Sequence, residues 1–216
     1  MSFNRDIQLD PNRVQTRSGG GRGAVIGGGS ILTVIAVVLI SQLTGVDLTS
    51  MLGAQQQTGT TTSTASSIDT SVCTSGDSAN KYTQCRMVAT AESLDAVWTE
   101  QLPAQAGLKY AKPEFVLWDG TQISSACGNA SSAVGPFYCS GDRTVYLDMS
   151  FFSEMERSLG AADTPLAEEY IVAHEFGHHI QHLTGQMAKA DRSGSGATSD
   201  SVRLELQADC YAGIWV

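Results

Sequence analysis

Apolar residues recur at helical spacing in four stretches of the chain. In residues 87–102 they stand three or four positions apart, and the pattern stops before Pro103, which predicts a helix with that end. Residues 150–159 predict a shorter helix. The strongest helical pattern covers residues 163–185, and a last helix is predicted over residues 199–216.

Short runs rich in β-branched and aromatic residues lie between the first two predicted helices. Residues 114–118 and 144–148 read as strands, because proline, glycine and aspartate bound them. Residues 135–138 can supply a third extended piece. The pattern therefore predicts a domain in which several helices accompany a few short strands.

A run without charged residues covers residues 24–46, and its centre is almost entirely apolar. About 20 such residues span the hydrocarbon core of a bilayer, so the run predicts an uncleaved transmembrane helix. A buried core helix would show a polar face, and a cleaved signal peptide would show a better cleavage site. Four arginines precede the run and set its orientation by the positive-inside rule. The prediction is a single-pass membrane protein with a cytoplasmic N-terminus and an extracytoplasmic body, periplasmic or at the cell surface.

The predicted organisation has four parts. Residues 1–23 form the cytoplasmic tail and residues 24–46 form the anchor. Residues 47–70 are rich in Gly, Thr, Ser and Gln and predict a flexible linker, since they cannot bury enough apolar surface to offset their ordering entropy. Residues 71–216 form the predicted globular domain, and its last helix has no C-terminal cap. We therefore expect the domain to continue beyond this sequence.

The formal net charge is −9, and the excess of acidic residues lies after the predicted anchor. Nucleic acid carries a dense negative charge and requires a basic protein surface. The acidic body therefore argues against nucleic acid as a partner. Charge gives no further indication of the partner, because it speaks mainly to solubility.

Five cysteines all follow the predicted anchor. Cys73 and Cys85 are twelve residues apart in turn-rich sequence, and so are Cys127 and Cys139. Loops of this size close easily in an oxidising compartment, so we expect disulfides within each pair; reduced thiols are the alternative. Cys210 lies in a helical pattern and is expected to be a buried thiol.

All four histidines lie close together on the helix predicted over residues 163–185. At about 100° per residue, His174 and His178 share a face one turn apart, with Glu175 beside them. Two imidazoles at i and i+4 can reach one metal ion, and the adjacent carboxylate can take a proton from a metal-bound water. This is the H-E-x-x-H pattern, and zinc is the metal it favours. His179 is expected at the flank of the helix, on the surface or behind the ligands, and His182 too far along the axis to be a ligand.

The third ligand distinguishes classes of metal site. One extended motif requires glycine and histidine three and six residues after the second ligand, where this chain has Gln181 and Thr184, so that class is excluded. The other class takes a glutamate from a later helix, and Glu205 with Asp209 one turn further fits it. Glu205 would complete a His₂Glu set, and Asp209 would accept the N–H of a ligand imidazole. The alternative is an acidic pair on a solvated face.

Several segments resemble a known family. "HEFGHHIQ", the downstream "LELQADCYAGIW", and the upstream "ACGNASSAVGPFYC" and "VYLDMSFF" are similar to the bacterial predicted neutral zinc metallopeptidase family, in its membrane-anchored members of the gluzincin type. The resemblance implies an α+β, zincin-like metalloprotease domain, in which a small antiparallel sheet lies beside the active-site helix and a transmembrane helix precedes the domain.

The same resemblance implies residue roles and a reaction. His174, His178 and Glu205 would bind Zn²⁺, Glu175 would act as general base, and the substrate would be a protein or peptide cleaved internally. Family members usually continue beyond the point where this chain ends, and that part can contain the group that stabilises the oxyanion. The rival hypothesis is a non-catalytic, membrane-tethered binding domain stabilised by zinc. Structural zinc sites usually have four protein ligands, and three candidates favour catalysis.

Overall fold

The computed structural model describes residues 2–19, 68–159, 164–191 and 193–216. These ranges contain three long helices, several short ones, a sheet and a hairpin. In chain order the elements are β1 (Gln15–Gly19), α1 (Gly76–Lys81), α2 (Thr83–Ala106), β2 (Glu114–Gly120), β3 (Gln122–Ser125), β4 (Gly128–Ser131), β5 (Phe137–Cys139), β6 (Thr144–Asp148), α3 (Phe151–Leu159), α4 (Pro165–Leu183), α5 (Gln186–Lys189) and α6 (Asp200–Trp215).

Four of the strands form one mixed sheet in the order β1-β2-β6-β5. β1 and β6 both run parallel to β2, whereas β5 runs antiparallel to β6. β3 and β4 form a separate antiparallel hairpin. The α+β class with a small sheet is therefore correct, but the expectation of an antiparallel sheet is wrong. The parallel pairs arise because β1 comes from the N-terminal segment, and β6 returns to β2 after the hairpin and β5.

Both faces of strand β2 are buried, because successive side chains of a strand point to opposite faces. Phe115 and Leu117 belong to the core shared with α2 and α4. Val116 and Trp118 belong to a second apolar cluster that includes residues of the β3–β4 hairpin. Phe176 of α4 meets Phe115 edge-to-face, with ring centroids 6.1 Å apart. Helix α4 therefore rests on a sheet that is packed on both sides.

Residues 2–19 pack against the domain. Strand β1 pairs with β2 in register from Gln15 opposite Val116 onward. Just before it, Arg13 binds Asp95 of α2 through Nε at 2.6 Å and Nη2 at 3.2 Å, and both side chains are buried. The Arg13 guanidinium also lies 5.8 Å from the centre of the Phe176 ring. The N-terminal segment is thus part of the packing behind α4.

This packing corrects the predicted membrane topology. A single crossing within residues 24–46 would place β1 and β2 on opposite sides of a bilayer, although the two strands are hydrogen-bonded neighbours. Among the described residues, no helix combines the length and the apolar character needed to cross a membrane. The predicted anchor and most of the linker predicted over residues 47–70 lie outside the described residues. The predicted single crossing between a cytoplasmic N-terminal tail and the domain is therefore wrong, and the structure does not support a transmembrane helix before the domain.

The first long helix is longer than the sequence predicted. Helix α2 passes through Pro103 and ends at Ala106, and it is capped by Gly107, whose φ of 67° is left-handed and whose N–H donates to Pro103 O. Proline removes one N–H, but here it lies in the last turn, and the good helix formers after it allow the turn to close. Helix α4 begins as its sequence suggests. Thr164 caps it by accepting from Ala167 N at 3.3 Å, and Pro165 follows.

Both predicted disulfides are present. One joins Cys73 to Cys85 and the other joins Cys127 to Cys139. The second fixes the end of β5 to the turn of the β3–β4 hairpin. Cys210 is a free thiol, and it is exposed rather than buried because it lies on the face of α6 turned away from α4. The disulfides favour an oxidising compartment.

Candidate metal centre

Helices α4 and α6 approach each other closely at the level of the candidate site. They approach at Gly177, where a Cβ atom would lie 2.8 Å from Ala208 O and 2.9 Å from Ala208 Cα. Only glycine permits this approach, because any side chain would press on the backbone of α6. The contact places Glu205 on α6 opposite the two histidines that flank Gly177 on α4, His174 and His178.

Three of the predicted residues form one cluster. Glu205 Oε2 lies 3.2 Å from His174 Nε2 and 3.4 Å from His178 Nε2, and the two imidazole rings are nearly perpendicular, with centroids 4.8 Å apart. One donor atom from each residue lies within 4.8 Å of the others. With zinc–ligand bonds of about 2.0–2.1 Å, two ligands of a tetrahedral ion are about 3.4 Å apart. The two distances to Glu205 and the two-nitrogen, one-oxygen donor set therefore fit zinc.

The charges in the cluster are coupled. Burial opposes the charged form of Glu205, but hydrogen bonds from His174 and His178 outweigh it and lower the pKa of this carboxyl to about 2. Burial likewise opposes the charged form of His174, yet its hydrogen bonds to Asp209 and Glu205 raise its pKa to about 10. Glu205 is therefore an anion that can bind a cation. Metal binding would have to displace the proton of His174.

Asp209 lies where the sequence predicted it. Its Oδ1 is 2.8 Å from His174 Nδ1 and also accepts from Tyr170 Oη at 2.7 Å. A carboxylate can only accept at neutral pH, so Nδ1 carries a proton and Nε2 faces the cluster. Asp209 thus orients the first imidazole, and Tyr170 in turn fixes Asp209.

Glu175 lies beside the cluster and is nearly enclosed. Burial raises the pKa of its carboxyl, whereas His178, His174 and the backbone N–H of Tyr138 lower it, and the net shift is upward. A carboxylate with a raised pKa is a better proton acceptor than an exposed one. The neighbouring strand β5 therefore contacts this side chain through the backbone of Tyr138 and affects its pKa.

His179 is not at the surface. It is fully buried, with Nε2 2.6 Å from Ala111 O and Nδ1 3.0 Å from Tyr138 Oη. Because the carbonyl can only accept, Nε2 carries the proton and the tyrosine hydroxyl donates to Nδ1. Burial lowers the pKa of His179 to about 4, so the ring is neutral. His182 is only partly buried, stacks on His179 with centroids 6.5 Å apart, and is not in the cluster.

Sequence reasoning also missed Gln181, which contacts His178 Nδ1 from inside the fold. The available signal was spacing, because Gln181 lies seven residues after His174 and three after His178 and so shares their face of the α4 helical wheel. A helical wheel gives this position, but it does not show which group the residue meets. Strand β5 gave an equally weak signal, because it is only three residues long.

Comparison with known sequences assigns the chain to a family. Residues 6–216 match the family described as "Putative neutral zinc metallopeptidase", and the chain belongs to it. The chain is 46% identical over 175 residues to the uncharacterized protein Rv2575 of Mycobacterium tuberculosis, covering 81% of this chain and 57% of that protein. It is 38% identical over 196 residues to the uncharacterized protein YpfJ of Escherichia coli K12, covering 87% of this chain and 62% of YpfJ. No solved structure matches.

The family implies zinc as the cofactor. The cluster of His174, His178 and Glu205 can hold that metal. The chain spans about three fifths of the length of the curated relatives it matches.

Proposed function

We propose that this domain is a zinc-dependent endopeptidase of the gluzincin type, in which His174, His178 and Glu205 hold the metal and Glu175 is the general base. One observation carries the proposal. One donor atom from each of three side chains on two helices lies within 4.8 Å of the others, while the buried carboxyl of Glu175 lies beside them and is not one of the three. A site with a vacant coordination position and an adjacent base is typical of catalytic zinc.

The residues divide the chemistry between them. Zinc, when bound, supplies a Lewis acid that polarises a peptide carbonyl and lowers the pKa of water. Glu175 takes the proton from the attacking water and passes it to the amine that leaves, so the peptide C–N bond breaks with no net consumption of protons by the enzyme. Asp209 holds the His174 ring so that Nε2 faces the cluster.

Strand β5 is the proposed site for the substrate backbone. Among the described strands it lies at the edge of the sheet and pairs on one side only, with β6. An extended peptide can add to such an edge through main-chain hydrogen bonds, which are independent of side-chain identity. The link between Tyr138 and Glu175 supports this location, because a peptide beside β5 would lie close to the base.

The rival is a non-catalytic binding domain that uses zinc only for stability. In the described part of the chain the cluster has three donor side chains, whereas a structural site is usually closed by four. A stabilising metal also gives no reason to bury Glu175, whose burial is unfavourable for a carboxylate. Catalysis is therefore the better explanation of the arrangement.

Glu175→Gln tests the proposal. The amide has the same shape but cannot accept the proton, so hydrolysis of a casein-like substrate should fall by about 10²- to 10⁴-fold. The zinc content, measured by elemental analysis, should remain that of the unmodified protein, since Glu175 is not a ligand. Glu100→Gln, at an exposed position on α2, is the matched control and should leave both quantities unchanged.

Two results would reject the proposal. Unchanged cleavage by Glu175→Gln would exclude Glu175 as the general base. Loss of the folded state on chelation, in a protein that cleaves no peptide with zinc present, would favour the structural role, because a catalytic site can lose its metal and lose only activity.

A further inference from the structure

Gln181 is one of the two residues that exclude the longer histidine motif, and it has two hydrogen-bond partners of its own. It lies on α4 three residues after His178 and is fully buried. Its Nε2 donates to Leu204 O at 2.6 Å, and its Oε1 lies 2.9 Å from His178 Nδ1. Both ends of the buried amide are therefore engaged, one on each of the two helices that carry the cluster.

These contacts determine which end of the Gln181 amide and which nitrogen of His178 carry protons. A backbone carbonyl can only accept, so the NH₂ group of Gln181 must face Leu204 O. The amide oxygen must then face His178, and an oxygen without a proton requires Nδ1 of the imidazole to donate. The form of the imidazole that binds a metal carries one proton only, so with that proton on Nδ1 the lone pair available to the metal lies on Nε2. That atom is the one 3.4 Å from Glu205 Oε2.

The same side chain also sets a distance between helices. Leu204 directly precedes Glu205 on α6, so the bond from Gln181 holds the backbone of α6 beside the carboxylate of the cluster. His178 and Glu205 are thus linked through one amide, in addition to their direct contact. Loss of the amide would free both the ring orientation and the local position of α6.

We propose that Gln181 is a positioning residue for metal binding, which selects the Nδ1–H form of His178 and holds it at the correct distance from Glu205. This inference rests on the ligand set of the proposed function, and it concerns metal affinity rather than peptide hydrolysis. The two imidazoles are held by different acceptors, because His174 faces the carboxylate of Asp209 whereas His178 faces a neutral amide.

Two substitutions separate the two contacts. Gln181→Met has a similar length and makes neither hydrogen bond. Gln181→Glu keeps an acceptor for His178 Nδ1–H but loses the donor to Leu204 O. Partners that orient a metal-binding histidine typically change metal affinity by about 10- to 100-fold, so Gln181→Met should raise the zinc Kd by that factor. Gln181→Glu should lie between Gln181→Met and the unmodified protein.

Zinc Kd is measured by competition with a chromophoric chelator on the purified protein. A second measurement is the ¹⁵N-edited NMR signal of His178 Nδ1–H, which the amide protects from exchange with water. We expect this signal in the unmodified protein and in Gln181→Glu, and its loss in Gln181→Met. If Gln181 only stabilised the fold, the His178 Nδ1–H signal would not be retained in Gln181→Glu and lost in Gln181→Met. Gln186→Met, at an exposed position on α5, is the control and should change neither quantity.

A zinc Kd of Gln181→Met within twofold of the unmodified protein would overturn the inference. If that variant does not fold, folded Gln181→Glu decides, since absence of the protected His178 signal there overturns the inference and its presence with a raised zinc Kd supports it. An unmodified protein that binds zinc but cleaves no peptide would refute the proposed function alone. The affinity order of the Gln181 variants would still be measurable.

Discussion

Replacing Gly177 with alanine tests whether the close approach of α4 and α6 holds the site together. The new Cβ would lie 2.8 Å from Ala208 O and 2.9 Å from Ala208 Cα, and ordinary contact begins at 3.4 Å. Both neighbours are backbone atoms of a helix and cannot rotate away. The helices must therefore separate locally by about 0.6 Å, which is the difference between contact and the 2.8 Å approach.

The cost has two parts. Overpacking of a well-packed interior typically costs about 1–3 kcal/mol, and alanine regains about 1 kcal/mol over glycine in helix propensity. Gly177→Ala should therefore lower the free energy of unfolding by up to about 2 kcal/mol. A misplacement of about 1 Å can reduce activity about 100-fold, so a shift of about 0.6 Å should reduce peptide hydrolysis roughly tenfold. Zinc Kd should rise as well, because α6 carries Glu205 away from His174 and His178.

The assay compares this variant with Gly213→Ala. Gly213 also lies within a helix, in the last turn of α6, but a Cβ there meets nothing within 4 Å. Gly213→Ala should leave zinc Kd unchanged and should be neutral or stabilising by at most about 1 kcal/mol. Urea unfolding of the zinc-free proteins gives the free energy of unfolding, and chelator competition gives the zinc Kd. A Gly177→Ala protein that is as stable as the unmodified chain and binds zinc equally well would refute the reasoning.

Two further substitutions probe the surroundings of the site. Asp209→Ala removes the acceptor of His174 Nδ1–H and should raise zinc Kd by about 10- to 100-fold in chelator competition; an unchanged Kd would show that Asp209 does not orient the ring. Arg13→Met leaves the buried carboxylate of Asp95 without its closest cation and should lower the free energy of unfolding by about 3 kcal/mol in urea titrations. Arg5→Met removes only an exposed ion pair and should change the free energy of unfolding by less than about 0.5 kcal/mol. Equal effects of Arg13→Met and Arg5→Met would argue that burial of the ion pair is unimportant.

The two halves of the cluster could be predicted because each depends on the periodicity of one helix. His174 and His178 are one turn apart on any helix, and the same holds for Glu205 and Asp209 on a second one. The structure brings the four side chains together as predicted, although their roles remain proposals. The surroundings of His179 could not be predicted in this way, since its burial depends on strand β5, which packs on α4 from another part of the chain.

Strand β1 was beyond sequence reasoning for a different reason. Its residues, Gln15–Gly19, are mostly exposed and polar, so they show no alternation of apolar and polar positions. The strand forms because β2 offers a free edge and because Arg13 fixes the chain just before it. Tertiary contacts of this kind override local propensity. The predicted membrane topology was wrong for the same reason, because it treated the N-terminal residues as a separate tail and not as a strand of the sheet.

The most direct test of the account is the position of the metal. Crystals of the zinc-loaded protein, measured on both sides of the zinc absorption edge, give an anomalous map that locates the ion independently of the protein atoms. We predict one site, with bonds of about 2.0–2.2 Å to His174 Nε2, His178 Nε2 and one oxygen of Glu205, and with no other protein ligand. Zinc held by four protein side chains, or bound elsewhere while Glu205 points away from the two imidazoles, would contradict the account.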